Sequence, residues 1–190
     1  GLRRQMGITT PDNPTEHPIM GQPVPVEADP VPDPEVGPEI SRALTDYMLF
    51  LAPPSTFVPP TEEGKAEVSR GRRVFEEIGC ADCHTPVLFT GPNEVAALDR
   101  KPVWLWSDLL LHDMGPALAD NCGRDASPTE IRTEPLMGMR FKEELLHNGV
   151  TSDIRRVIQL HGGESAISRN LFFALPAEDQ MAVQRFLGVL

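Results

Sequence analysis

Basic residues are in short supply: 17 lysines and arginines face 28 aspartates and glutamates, a formal net charge of −11 over 190 residues. This argues against nucleic acid and against an anionic membrane surface as partners. No stretch reaches the roughly 18 consecutive apolar residues of a membrane-spanning helix. There is no secretory signal and the first residue is not methionine, so the sequence reads as a mature, processed or partial chain. Aromatic residues are only 6%, against 20 prolines and 15 glycines, a loop-rich balance with a thin core of side chains. Cysteines number three and histidines five. With one C-x-x-C pair and the lone Cys122, a four-ligand zinc site of the usual paired spacing is not available. No internal repeat is visible.

What the chain does carry is Cys80-Ala81-Asp82-Cys83-His84. The spacing C-x-x-C-H is the attachment signature of c-type haem. Two thiols one turn apart can each add across a haem vinyl group, and the adjacent histidine then serves as proximal iron ligand. A thioredoxin-like redox pair would follow a strand, whereas a charged helical stretch precedes this motif. The expected cofactor is therefore one covalently attached haem c, which would also supply core that the aromatic residues do not. Such attachment takes place outside the cytoplasm, so a periplasmic or otherwise exported location is expected. The acidic balance suits a redox protein partner with a basic docking surface, or plain solubility. Cys122 is left odd, either paired outside this chain or simply buried.

Along the chain, nine prolines from Pro11 to Pro38 exclude a helix and predict an extended arm. His17 and Met20 lie on this arm, a poor setting for metal ligands. Residues 39–52 read as a helix with Ile40, Ala43, Leu44, Tyr47, Met48 and Leu51 on one face, stopped by Pro53-Pro54. A second helix is expected over 61–78, capped by Thr61 and burying Ala66, Gly71, Val74, Phe75 and Ile78. Gly71 would admit another helix closely. Residues 85–103 read as loop, followed by an apolar stretch from Trp104 to Gly115 containing His112 and Met114. Trp104 and Trp106 are either ordinary core or haem contacts, and His112 is expected to be satisfied by loop carbonyls. Arg132 or Arg140 could neutralise a haem propionate through a forked contact, or form a surface ion pair. Further helices are expected over 152–160, 164–174 and 177–187, the last burying Met181, Val183, Phe186 and Leu187.

These residues resemble a known group. The helix with Gly71 and Phe75, the C-x-x-C-H and the final helix with Phe186 look like a cytochrome c fold. Ser107-Asp108-Leu109-Leu110-Leu111-His112-Asp113-Met114-Gly115 resembles the di-haem oxidoreductases related to bacterial cytochrome c peroxidase, closest to the thiol-oxidoreductase-like branch. So do Arg132-Thr133-Glu134-Pro135-Leu136, Leu146-His147-Asn148-Gly149 and His161-Gly162-Gly163-Glu164. The resemblance implies an all-α, cytochrome c-like domain with long loops over residues 61–190. Residues 1–60 would be a proline-rich arm with one helix, continuing from an upstream haem domain. The family carries two C-x-x-C-H motifs and this chain one, which looks like the second; the peroxidatic haem belongs to the first. The family's His-Asp-Gly stands here as His147-Asn148-Gly149.

For the second axial ligand, the peroxidase relatives place it fourteen positions after the histidine of that motif, which here is His161. Met114 is the alternative, with Met137, Met139 or an open site behind it. The resemblance gives His147 a structural place beside the haem. The expected cofactor contacts are thus Cys80, Cys83, His84, Trp106, Arg132 and His147, with His84 and His161 (alternative Met114) on the metal. The expected function is single-electron transfer through one haem. The alternatives are the electron-entry half of a peroxidase-like di-haem oxidoreductase, with a second haem domain or subunit as partner, and a haem-bearing structural subunit of a larger redox complex.

Overall fold

The computed structural model describes residues 8–16, 22–25, 27–120 and 126–190. The expectations for His17, Met20 and Cys122 lie outside the described residues. The chain forms two compact units, Gly1–Ala52 and Pro53–Leu190.

Among the described residues of the first unit the proline-rich arm forms turns and bends and no helix before Pro38, because proline removes the N–H donors a helix or ladder would use. It folds back on Thr9, which is fully buried. The Thr9 N–H donates to Glu35 Oε2 at 2.8 Å, its hydroxyl donates to the Asp33 carboxylate, and its carbonyl accepts from Val36 N–H at 3.2 Å. Helix α1, Pro38–Phe50, follows, with Pro38 at a first-turn position that needs no N–H. It ends two residues short of the expected 52, where the residues leading into Pro53-Pro54 turn extended. It buries none of its residues; Ile40, Leu44, Tyr47 and Met48 are all exposed.

The second unit is organised by α2, Glu62–Glu77, crossing α5, Ala177–Leu187. Thr61 caps α2 by accepting from Gly64 N–H at 3.1 Å, and Glu62 and Glu63 occupy its positive end. The helices meet at Gly71, where a Cβ would lie 1.9 Å from the Ala182 carbonyl oxygen. Only a residue without a side chain allows that approach. Phe75, Trp106 and Phe186 then stack edge-on, with centroids 5.5 Å apart for Phe75–Phe186 and 5.1 Å for Trp106–Phe186. Val74, Ile78, Phe172, Val183 and Leu187 complete the surrounding core.

Two residues assigned to the buried faces are exposed instead, Ala66 and Met181. Each stands five positions before a residue at the crossing, Gly71 and Phe186, and so points roughly 140° away on the helix. Ala182 is buried in place of Met181.

The all-α expectation is also corrected. Strand β1, Leu88–Phe89, pairs antiparallel with β2, Pro102–Val103, inside the segment expected to be loop. Strand β3, Leu111–Asp113, pairs with β4, Glu130–Arg132, His112 facing Ile131 in the register. Strands of two or three residues leave too little alternation to read from sequence. Helix α3, Ile154–Leu160, is capped by Asp153, whose side chain accepts from Arg155 N–H. A 3-10 turn, Gly163–Ser165, leads into α4, Ala166–Ala174. Among the described residues, no helix is long and apolar enough to cross a membrane.

Candidate functional site

Helix α2 delivers the chain to the C-x-x-C-H. It ends through Gly79, whose φ of 80° is open to glycine at little cost, and passes into a 3-10 turn, Cys80–Asp82. His84 N–H closes the turn on Cys80 O at 3.0 Å. Neither Cys80 nor Cys83 is in a disulfide. Burial, with the Asp82 and Cys83 charges adding, pushes the Cys80 thiol up to about 12. Burial likewise raises Cys83, with Asp108 and Glu164 adding. These thiols stay protonated at neutral pH, the opposite of a redox-active pair.

His84 is held by a residue 22 positions away. Its Nδ1 lies 3.1 Å from the Trp106 carbonyl oxygen, which can only accept, so Nδ1 carries the proton and Nε2 the free lone pair. Burial pushes its pKa down to about 4 against the pull of that carbonyl, with His161 and His112 lowering it further and Asp108 opposing them. The ring is therefore a neutral imidazole at neutral pH, the form that ligates metal.

Trp106 is buried, with φ 56°. Its carbonyl also accepts from Leu136 N–H at 3.4 Å. On either side of it, residues 106–108 run beside the C-x-x-C-H loop. Trp106 N–H donates to Pro86 O at 3.3 Å, Ser107 N–H to Thr85 O at 2.9 Å and Asp108 N–H to Cys83 O at 2.9 Å. Buried Ser107 donates its hydroxyl to Thr133 O at 2.8 Å and so ties in the Arg132–Leu136 motif.

His161 repeats the arrangement at the end of α3. Its Nδ1 is 2.8 Å from Val157 O, again leaving Nε2 free. Burial lowers its pKa, the Val157 carbonyl opposes this, and the Arg169 charge adds to the lowering. Val157 and Ile158 pack against the same apolar cluster that Cys80 and Ala81 border. After His161, two glycines let backbone meet backbone. A Cβ on Gly163, whose φ is 49°, would lie 2.0 Å from Asp113 O, and one on Gly162 would lie 2.8 Å from Met114 O. The His112–Gly115 and His161–Glu164 motifs are thus interlocked. Met114 is half-buried, its sulfur 3.8 Å from the Ser165 hydroxyl, which donates its proton to Gly162 O at 2.7 Å. Met139 is part of the apolar core.

His112 is satisfied by carboxylates, not by the expected carbonyls. Its Nε2 lies 2.8 Å from Asp108 Oδ2 and its Nδ1 3.0 Å from Glu164 Oε2. Its pKa is raised by the Glu164 contact first and then by Asp108, while the His112 contact lowers Glu164. Burial alone would raise Asp108, but hydrogen bonds from Leu110 N–H and His112 hold it below its ordinary value. Sequence reasoning missed this cluster; the signal available was an Asp and a His four apart with a Glu in the His161-Gly162-Gly163-Glu164 run. It also missed the Trp106 and Val157 carbonyls, because a backbone role leaves no residue-type signature.

The remaining candidates lie nearer the surface. Arg132 is exposed on β4 opposite Leu111. Arg140 is exposed and lies over Phe141, 4.2 Å from the ring centroid. His147 sits in a turn with Nε2 3.4 Å from Asp120 Oδ2. In that turn Asn148 Oδ1 accepts from Val150 N–H at 3.3 Å.

The whole chain, residues 1–190, matches the family described as "Di-haem oxidoreductase, putative peroxidase". The protein is therefore a haem-based oxidoreductase of the di-haem oxidoreductase family. No curated protein and no solved structure matched it.

Proposed function

We propose that the chain is a c-type cytochrome domain that passes single electrons through one haem attached at Cys80 and Cys83. The observation that carries this is the paired histidines: His84 and His161 each have Nδ1 fixed on a backbone carbonyl and Nε2 left as a lone pair. Metal-ligating histidines are oriented in this way. The two unlinked thiols one turn apart fit thioether attachment. The α2–α5 crossing at Gly71 supports a cytochrome c-like fold. Bound here, a haem supplies a ferric/ferrous couple.

His161 is the better second ligand on donor chemistry, since the Val157 carbonyl takes its Nδ1 proton and leaves the Nε2 lone pair to ligate. With both histidines as ligands, a bound haem iron would have no open position for substrate, which favours electron relay over peroxide chemistry. In a di-haem family, a chain with one C-x-x-C-H suits the electron-entry half of a pair, its partner haem lying on another domain or subunit. The acidic surface suits a redox partner with a basic face, and c-type attachment an exported location.

The test is spectroscopic. A reduced pyridine haemochrome should show the α-band of thioether-linked haem, and the ferric protein a low-spin bis-imidazole resonance signal. A five-coordinate ferric form that reacts with peroxide would overturn the relay reading. His161→Ala should convert the ferric haem to high spin, whereas Met114→Ala should not; the reverse result would move the ligand to Met114.

A further inference from the structure

We propose that Asp108, His112 and Glu164 form a positioning clamp that fixes the two imidazoles, His84 and His161, relative to each other. It rests on the ligand reading above. Both ring nitrogens of His112 meet carboxylate oxygens, Asp108 Oδ2 at 2.8 Å and Glu164 Oε2 at 3.0 Å. A carboxylate only accepts, so both nitrogens donate and the ring is held at two points. The His112 and Asp108 side chains are 18% and 14% exposed, so this pair is sheltered and unlike an open surface ion pair.

Each end of the clamp is tied to one ligand. Asp108 N–H donates to Cys83 O at 2.9 Å, one residue before His84. Two residues before Asp108, the Trp106 carbonyl holds His84 Nδ1. At the other end, Glu164 stands three residues after His161, and its Oε1 accepts from Asp113 N–H at 2.9 Å. The contact of Asp113 O with Gly163 closes the same loop. A shift of Glu164 away from His112 would therefore pull the segment carrying His161 away from the segment carrying His84. His112 is a positioning residue, acting on the iron through both ligands and touching neither the metal nor a substrate.

The experiment uses the full haem-bearing chain with His112→Ala and His112→Gln, followed by ferric spin resonance and carbon monoxide binding to the ferrous form. His112→Ala should shift the balance from six-coordinate to five-coordinate iron about 10-fold or more, with the thioether α-band retained. His112→Gln, whose amide still donates two hydrogens, should recover part of that shift. A stabilising role alone would lower the melting temperature and leave both spectra unchanged, which overturns the clamp. Should His112→Ala fail to accumulate, Asp108→Asn and Glu164→Gln each loosen one end; the same shift supports the clamp, and wild-type spectra overturn it. A wild-type chain without a low-spin bis-imidazole signal overturns the ligand reading and the clamp together. A normal wild-type signal with unchanged variants overturns the clamp alone.

Discussion

Helices α1 and α2 make an informative pair. Both have an apolar stripe at helical spacing, and both follow a proline-rich segment. Yet α2 buries Gly71, Val74 and Phe75, while α1 buries nothing. The difference lies in what each meets. Against α2 the chain brings α5, with Ala182 and Phe186 at the position where Gly71 leaves room. Periodicity reports that a face is apolar; whether that face is covered depends on a second element with a complementary surface.

The comparison breaks most easily at its aromatic centre. Phe186→Ala should cost about 3–5 kcal/mol, as a ring is removed from the edge-on cluster with Phe75 and Trp106. Leu44→Ala in α1, already 42% exposed, should change stability by less than about 1 kcal/mol. Urea unfolding of the two variants would check this, and equal losses would refute the contrast.

The next effect is electrostatic and belongs to the second unit. In the haem-free chain the folded His84 has a pKa of about 4, below its ordinary 6.5. Between these values the unfolded chain binds more protons, so stability should fall as pH drops from 6.5 toward 4. The loss is on the order of 3 kcal/mol. Denaturation at pH 7 and pH 4.5 should reveal it, and His84→Ala should shrink that limb, the remainder belonging to His161, whose pKa burial also lowers.

Smaller still is a pair of glycines. Gly71→Ala would drive a Cβ into the Ala182 carbonyl and should cost about 1–3 kcal/mol. At Gly37, which caps α1, nothing lies within 4 Å, so Gly37→Ala meets no clash and should cost less than about 1 kcal/mol, through the poorer cap alone. Thermal melts of both would separate them. Smallest are the caps. Thr61→Ala removes the bond to Gly64 N–H and should cost about 1 kcal/mol. Gly37 makes no side-chain cap bond, so Gly37→Ser should gain only a few tenths of a kcal/mol. Helix content of the two variants, followed by circular dichroism on heating, would rank them.

Much of the fold was legible because its causes are local. Thr61 as a cap, Gly71 as a contact point and the run 177–187 as a helix all follow from single residues or short periods. The two small sheets were not, because strands of two or three residues are made by their partners. Ala66 and Met181 were misassigned since each is apolar but set about 140° from the crossing. His112 was misread because its acceptors, Asp108 and Glu164, are four and 52 residues away, and only the second motif's fold brings Glu164 to it.

The sequence by itself determined the chemistry on offer: two thiols and a histidine in C-x-x-C-H, a later histidine closing a short helix, and a net charge of −11. Only the tertiary structure decided how that chemistry is aimed. The proton on His84 sits at Nδ1 because the Trp106 carbonyl arrives from 22 residues away, and the ring is neutral because packing excludes water. A side chain's identity is written locally. The nitrogen it presents is set by whichever backbone carbonyl folding places beside it.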